Sequence, residues 1–160
     1  MGLKWKNPFP TGQCTFGDPG CIVRPDTDCS RMRVVYKITC NVCSAVVDQN
    51  EQIGHDRPGR EHKPNYFGMT SGSLHARMNA HLTTQVAGNL SGPMARHDEK
   101  AHGGLPQNYQ VCVVDRGRRL LTLVTTEALW IEKQQKEVSM NLRQEAGRGG
   151  IVRLTVNRVS

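Results

Sequence analysis

Two short strand-forming runs, each built around a tyrosine, constrain the fold of this chain more than any other feature. The first, Val34-Val35-Tyr36-Lys37-Ile38, is β-branched and aromatic and predicts a strand over 33–39. The second, Tyr66-Phe67-Gly68-Met69-Thr70, predicts a strand over 65–69, with Gly68 permitting a tight exit. Residues 44–64 between them are polar and broken by Pro58, Gly59 and Pro64, the composition of an inserted loop. Past the second tyrosine the period changes. Leu74, Met78 and Leu82 recur at every fourth position, with Ser71 or Ser73 available as a cap, so a helix is predicted over 73–85. A Gly-rich break at 88–92 precedes a short helical piece over 93–101 that opens on Pro93. A third strand is expected over 109–115, the longest helix over 119–138, and a last β run over 151–156.

Strands interleaved with helices in 160 residues describe one small α/β (α+β) domain with a modest core. The expected division is an irregular Cys-containing N-terminal extension over 1–32, the folded domain over 33–145 and a C-terminal tail over 146–160. The formal net charge of +7 makes a polyanion the default partner, bound through a salt-sensitive, sequence-independent attraction. No apolar run approaches the roughly 20 residues of a membrane span, so no membrane partner is expected. The first residues carry no signal-peptide pattern, and Lys6 spoils a myristoylation motif after Gly2. An intracellular protein is therefore expected, and in a reducing compartment its six cysteines read as metal ligands or thiols rather than disulfides.

Arg77 and His81 are four apart and share one face of the 73–85 helix, beside its apolar stripe. On the 119–138 helix, Leu120, Leu123, Val124, Ile131 and Val138 mark the apolar stripe. Glu127 falls near its middle, whereas Glu132 lies about 120–140° around the helix. A carboxylate on a buried face is costly unless it is paired or binds metal, so Glu127 outranks Glu132 as a ligand. Tyrosine, arginine, histidine and glutamate together supply a base, a phosphate clamp and a divalent-cation ligand, the parts needed to cut a phosphodiester.

In the order Tyr36, Tyr66, Arg77, His81, Glu127, Asn141, the stretch from 33 to 141 resembles the GIY-YIG nucleases. Val34-Val35-Tyr36 stands for the Gly-Ile-Tyr segment and Tyr66-Phe67-Gly68 for Tyr-Ile-Gly. The resemblance implies a mixed sheet of about three strands flanked by helices. It also implies one Mg²⁺ or Mn²⁺ ion on Glu127. Tyr36 would be the general base for the attacking water. An unperturbed tyrosine has a pKa near 10, so that role needs help from the ion or from a neighbouring base. Tyr66 and His81 would orient or relay the proton, Arg77 would neutralise charge on the phosphate, and Asn141 would position the network.

Cys40-x2-Cys43 has the spacing of half a zinc site, and either His97 with His102 or His55 with His62 could complete it. The region resembles the endonuclease domain of Penelope-like retroelements, where paired histidines follow the arginine helix, and this favours His97 and His102. Such a zinc ion would be structural, a knuckle inserted in the fold. Cys14, Cys21 and Cys29 suggest a second metal site needing one further ligand, although Arg24 stands where the subgroup often has another cysteine. The function implied is a metal-dependent DNA endonuclease that nicks one strand to prime reverse transcription. Its partners would be double-stranded DNA, a reverse transcriptase and its RNA template, and its location nuclear in a eukaryotic retroelement. The alternatives are a stand-alone cellular, phage or restriction-type nuclease, or a zinc-stabilised nucleic-acid-binding module without catalysis.

Overall fold

The computed structural model describes Cys14, residues 21–23, 27–46 and 63–133, and Met140. Three strands form one sheet in the order β2-β1-β3: β1 (Met32–Cys40), β2 (Asn65–Ser73) and β3 (Tyr109–Arg116). Among the described residues four helices accompany it: α1 over 41–46, α2 (Leu74–Val86), α3 (Pro93–His102) and α4 (Leu120–Lys133). The expected α+β fold, a three-stranded sheet with flanking helices, is present. Both ladders are antiparallel; the parallel contact is an isolated bridge from Val23 to the outer edge of β3 at Val111. The expected elements over 134–138 and 151–156 lie outside the described residues, as does most of the 44–64 loop.

Side chains along β1 alternate between two faces, and the two faces carry different helices. Val34, Tyr36, Ile38 and Cys40 join Leu74 and Met78 of α2, Met94 of α3, and Tyr109 and Val111 of β3 in one buried cluster. Each such side chain contributes about 1.5–3 kcal/mol relative to leaving it in water. Cys21, Ile22, Val23 and Cys29 belong to the same cluster, so the segment ahead of β1 helps to build the core. On the opposite face Phe67 stacks on Trp130 of α4, with ring centroids 5.9 Å apart and planes 11° from parallel. Leu123 and Ile131 are buried there too.

Local chemistry sets the element ends. Ser73 caps α2 by accepting a hydrogen bond from the Ala76 N–H at 3.2 Å, and Gly103 closes α3 with φ of 60°, a left-handed conformation that favours glycine. Three expectations need correction. β2 runs on to Ser73, because its last residues stay laddered to the start of β1, Ser73 pairing with Met32. Gly68 is therefore mid-strand rather than an exit. Leu120 is 59% exposed, since the stripe that α4 buries begins at Leu123.

Candidate active site and metal-binding clusters

Tyr36 is fully buried at the centre of β1, and its cross-strand partner is Gly68. The pairing explains the glycine: a Cβ at 68 would lie 2.5 Å from the Tyr36 hydroxyl oxygen. The ring lies across the space that a side chain would fill, and its hydroxyl reaches past β2 to α2. There the i, i+4 spacing brings two side chains to one atom. Arg77 Nε donates to the Tyr36 oxygen at 3.1 Å, and His81 Nε2 lies 2.8 Å from it. The ring of Tyr66 meets that of His81 edge-on, with centroids 5.9 Å apart.

The electrostatics are specific. Burial, and then the Arg77 charge, hold His81 down to about 4, so at neutral pH its imidazole is uncharged and has a nitrogen free to accept a proton. Burial alone would lower Arg77, but Tyr36, Tyr66 and Glu127 outweigh it and hold the guanidinium above its ordinary value. Glu127 thus acts on the same arginine as both tyrosines. It sits half-buried on α4, four residues from each of the buried Leu123 and Ile131, as its place in the stripe predicts. Trp130, three residues further on, fixes the rotation of α4 through its stack on Phe67. Glu132 is exposed. Asn141 lies outside the described residues; the N–H of its neighbour Met140 donates to the Asn65 carbonyl at 2.5 Å.

A second constellation forms where β1 runs into α1 and meets α3. Cys40, Cys43, His97 and His102 each bring one ligand atom to within 4.8 Å of the others. Cys43 Sγ lies 3.3 Å from His97 Nε2 and 3.4 Å from His102 Nε2, and Cys40 Sγ lies 3.5 Å from His102 Nε2. Zinc bond lengths at tetrahedral angles imply sulfur–nitrogen separations of about 3.6 Å, so these four residues could hold such an ion. The hydrogen bond from Cys43 pulls the Cys40 thiol down to about 3 against the upward push of burial. The same bond, and then burial, push Cys43 upward. His55 and His62 lie outside the described residues.

Behind His97 stands a network that sequence reasoning did not find. Asp98 is buried and accepts from Gln85 Nε2 of α2 at 2.6 Å and from the Tyr109 hydroxyl of β3 at 2.6 Å. Burial raises its carboxyl, and the two hydrogen bonds and the neighbouring His97 oppose that rise. One side chain so ties α2, α3 and β3 together beside the Cys40–His102 cluster. A third group, Cys14, Cys21, Cys29 and His75, also brings four ligand atoms to within 4.8 Å of one another and could hold a metal. His75 lies far along the chain from the three cysteines, so no spacing links it to them; its place in the first turn of α2, two residues after the capping Ser73, was the available signal. Comparison with family models, with curated proteins and with solved structures gave no match.

Proposed function

We propose that this chain is a metal-dependent DNA endonuclease of the GIY-YIG type, which nicks one strand by hydrolysing a phosphodiester. One observation carries the reading: the Tyr36 hydroxyl is met at once by the Arg77 Nε–H and by His81 Nε2, while Tyr66 and Glu127 act on the same Arg77. Arg77 can only donate, so the Tyr36 proton points to the neutral His81 as its acceptor. The guanidinium beside the Tyr36 oxygen favours negative charge there, so that as the oxygen takes a proton from the attacking water it passes its own to the neutral His81. Because Tyr36 is fully buried, the phosphate must first draw the exposed Arg77 aside enough to open the hydroxyl to water while its charge stays near the Tyr36 oxygen. That movement clamps the phosphate and uncovers the base in one step.

Glu127 suits a hard divalent ion, Mg²⁺ or Mn²⁺, as a half-buried carboxylate within the field of Arg77, with waters completing the shell. Such an ion supplies charge neutralisation at the scissile phosphate. The Cys40–Cys43–His97–His102 donor set suits a structural zinc ion that pins the exit of β1 to α3. With the retroelement resemblance, the nick would prime reverse transcription at a target site, with double-stranded DNA, a reverse transcriptase and its RNA template as partners, in the nucleus of a eukaryotic host. A stand-alone nuclease of the same type performs the same chemistry. The burial of Tyr36 favours one further reading, a zinc-stabilised nucleic-acid-binding module without turnover.

Cleavage of supercoiled plasmid with Mg²⁺ or Mn²⁺ separates these readings. Open circles that vanish with chelator, with Glu127→Ala and with Tyr36→Phe are the expected result. Salt-sensitive DNA binding with no cut at any metal concentration would replace the nuclease with the binding module. Among the described residues no helix is long and apolar enough to cross a membrane.

A further inference from the structure

We propose that Cys14, Cys21, Cys29 and His75 form a second zinc centre, a Cys3His site that fastens the segment ahead of β1 to the N-terminus of α2. The donor atoms of all four lie within 4.8 Å of one another. Cys14 Sγ is 3.5 Å from Cys29 Sγ and 3.9 Å from His75 Nδ1. A tetrahedral zinc ion requires sulfur–sulfur edges of about 3.8 Å and sulfur–nitrogen edges of about 3.6 Å, so the group needs only small adjustments to close. A disulfide is a poorer account of the pair, because its sulfurs would stand about 2.05 Å apart and it would use only two of the four converging donors.

The backbone holds the ligands in place. The first two N–H groups of α2, which no helical carbonyl can reach, are taken by this segment: Leu74 donates to the Arg31 carbonyl and His75 to the Cys29 carbonyl, both at 2.8 Å. His75 is therefore bonded through its main chain to Cys29, one of the three cysteines whose sulfurs lie within 4.8 Å of its ring donor atom. Cys21 and Cys29 are buried in the core cluster and Cys14 packs against it, so the site is shielded from bulk water on the core side. The other ring nitrogen is also engaged: His75 Nε2 lies 3.1 Å from the Asn79 side-chain amide, one turn along α2. It is the Asn79 Nδ2 that faces Nε2 here; ligation through Nδ1 would put the ring proton on Nε2, and the Asn79 amide would then flip to present its oxygen as acceptor. An outer partner of this kind orients a metal-ligating histidine.

The placement has a consequence for α2. His75 precedes Arg77 by two residues on the same helix, so the ion would set the axial position of α2 just where Arg77 meets Tyr36. The zinc centre does not depend on the nuclease reading, and a non-catalytic binding module would carry it equally.

Native mass spectrometry and elemental analysis of the full chain, purified under reducing conditions, test the assignment. The expected result is two zinc ions per chain. Cys43→Ser should lose one and leave the other, and His75→Ala should lose the opposite one after dialysis against a mild chelator. His75→Cys, which restores a fourth ligand, should keep both. Cobalt substitution of the Cys43→Ser protein should still give the thiolate-to-metal charge-transfer band of a sulfur-rich site. One zinc per chain in the wild type, removed by Cys43→Ser and indifferent to His75→Ala, would overturn the proposal. So would a mass lower by one disulfide with a single zinc bound. The wild-type count decides the matter even where a variant fails to fold.

Discussion

Replacing Gly68 by alanine measures how tightly the Tyr36 hydroxyl is held. Gly68 faces Tyr36 across the β1–β2 ladder, and a Cβ there would stand 2.5 Å from the hydroxyl oxygen, 2.6 Å from Cζ and 2.9 Å from Cε2. The backbone at 68 is not in the left-handed region, so alanine meets no conformational barrier and the conflict falls on the ring. Carbon contacts settle at about 3.5–4.0 Å, which obliges the ring to retreat by about 1 Å. The contacts of 2.8 Å to His81 and 3.1 Å to Arg77 cannot both survive such a shift, given the steep loss of hydrogen bonding beyond about 3.2–3.5 Å. Overpacking costs about 1–3 kcal/mol and each lost hydrogen bond about 0.5–1.5 kcal/mol. Against these, alanine stiffens the unfolded chain by about 0.4–1 kcal/mol. The net is a destabilisation of about 3 kcal/mol, summed from those same terms. Urea unfolding in zinc-replete buffer, followed by circular dichroism, reads it directly. In a Tyr36→Leu background the ring is gone, and the same substitution should cost less than about 1 kcal/mol. A Gly68→Ala cost near zero in the wild type, or an equal cost in both backgrounds, would refute the account of why this position is glycine.

Acidification should expose His81. Its folded value of about 4 lies below the ordinary 6.5, so the unfolded chain takes up a proton first as pH falls. The stability that the neutral ring contributes is full above pH 6.5 and is lost as pH drops towards 4, by up to about 3 kcal/mol. His81→Gln should flatten the stability profile within that window relative to the wild type, and identical slopes would show that the ring is not buried neutral. Asp98→Ala should cost about 2–4 kcal/mol in thermal or urea unfolding, because it removes two short buried hydrogen bonds and leaves the Tyr109 hydroxyl only the Met94 carbonyl at 3.3 Å and the Gln85 amide only the Gln107 carbonyl at 3.2 Å. A loss under about 0.5 kcal/mol would mean that those groups find other partners. Trp130→Ala removes the stack on Phe67, worth about 0.5–1.5 kcal/mol beyond burial, and should lower plasmid nicking while leaving the zinc count of the chain unchanged. Full nicking activity in that variant would show that Glu127 is positioned without the stack.

Periodicity and residue type were enough to read three strands, three of the helices and their order, because alternation and the four-residue repeat record which side of an element meets the core. They were also enough to place Glu127 within the apolar stripe of α4 and Glu132 outside it, as their half-buried and exposed positions show. The Cys40-x2-Cys43 pair is local and announces itself. The partners contributed by distant segments are a different matter. That His97 and His102 approach these sulfurs follows from how α3 docks beside the start of α1, and that His75 faces Cys14, Cys21 and Cys29 follows from the closure of α2 onto the turn at Cys29. No spacing along the chain encodes either approach. Gly68 is the clearest case: beside a tyrosine in a short run it looks like a strand exit, and only the register opposite Tyr36 shows that its missing side chain makes room for a ring. What the chain alone determined is which elements form and which faces they bury, because those depend on neighbours a few residues away. Which side chains share a site was decided by the tertiary structure, because a site is closed by contacts between residues far apart in the chain, and packing of the whole sheet and its helices selects them.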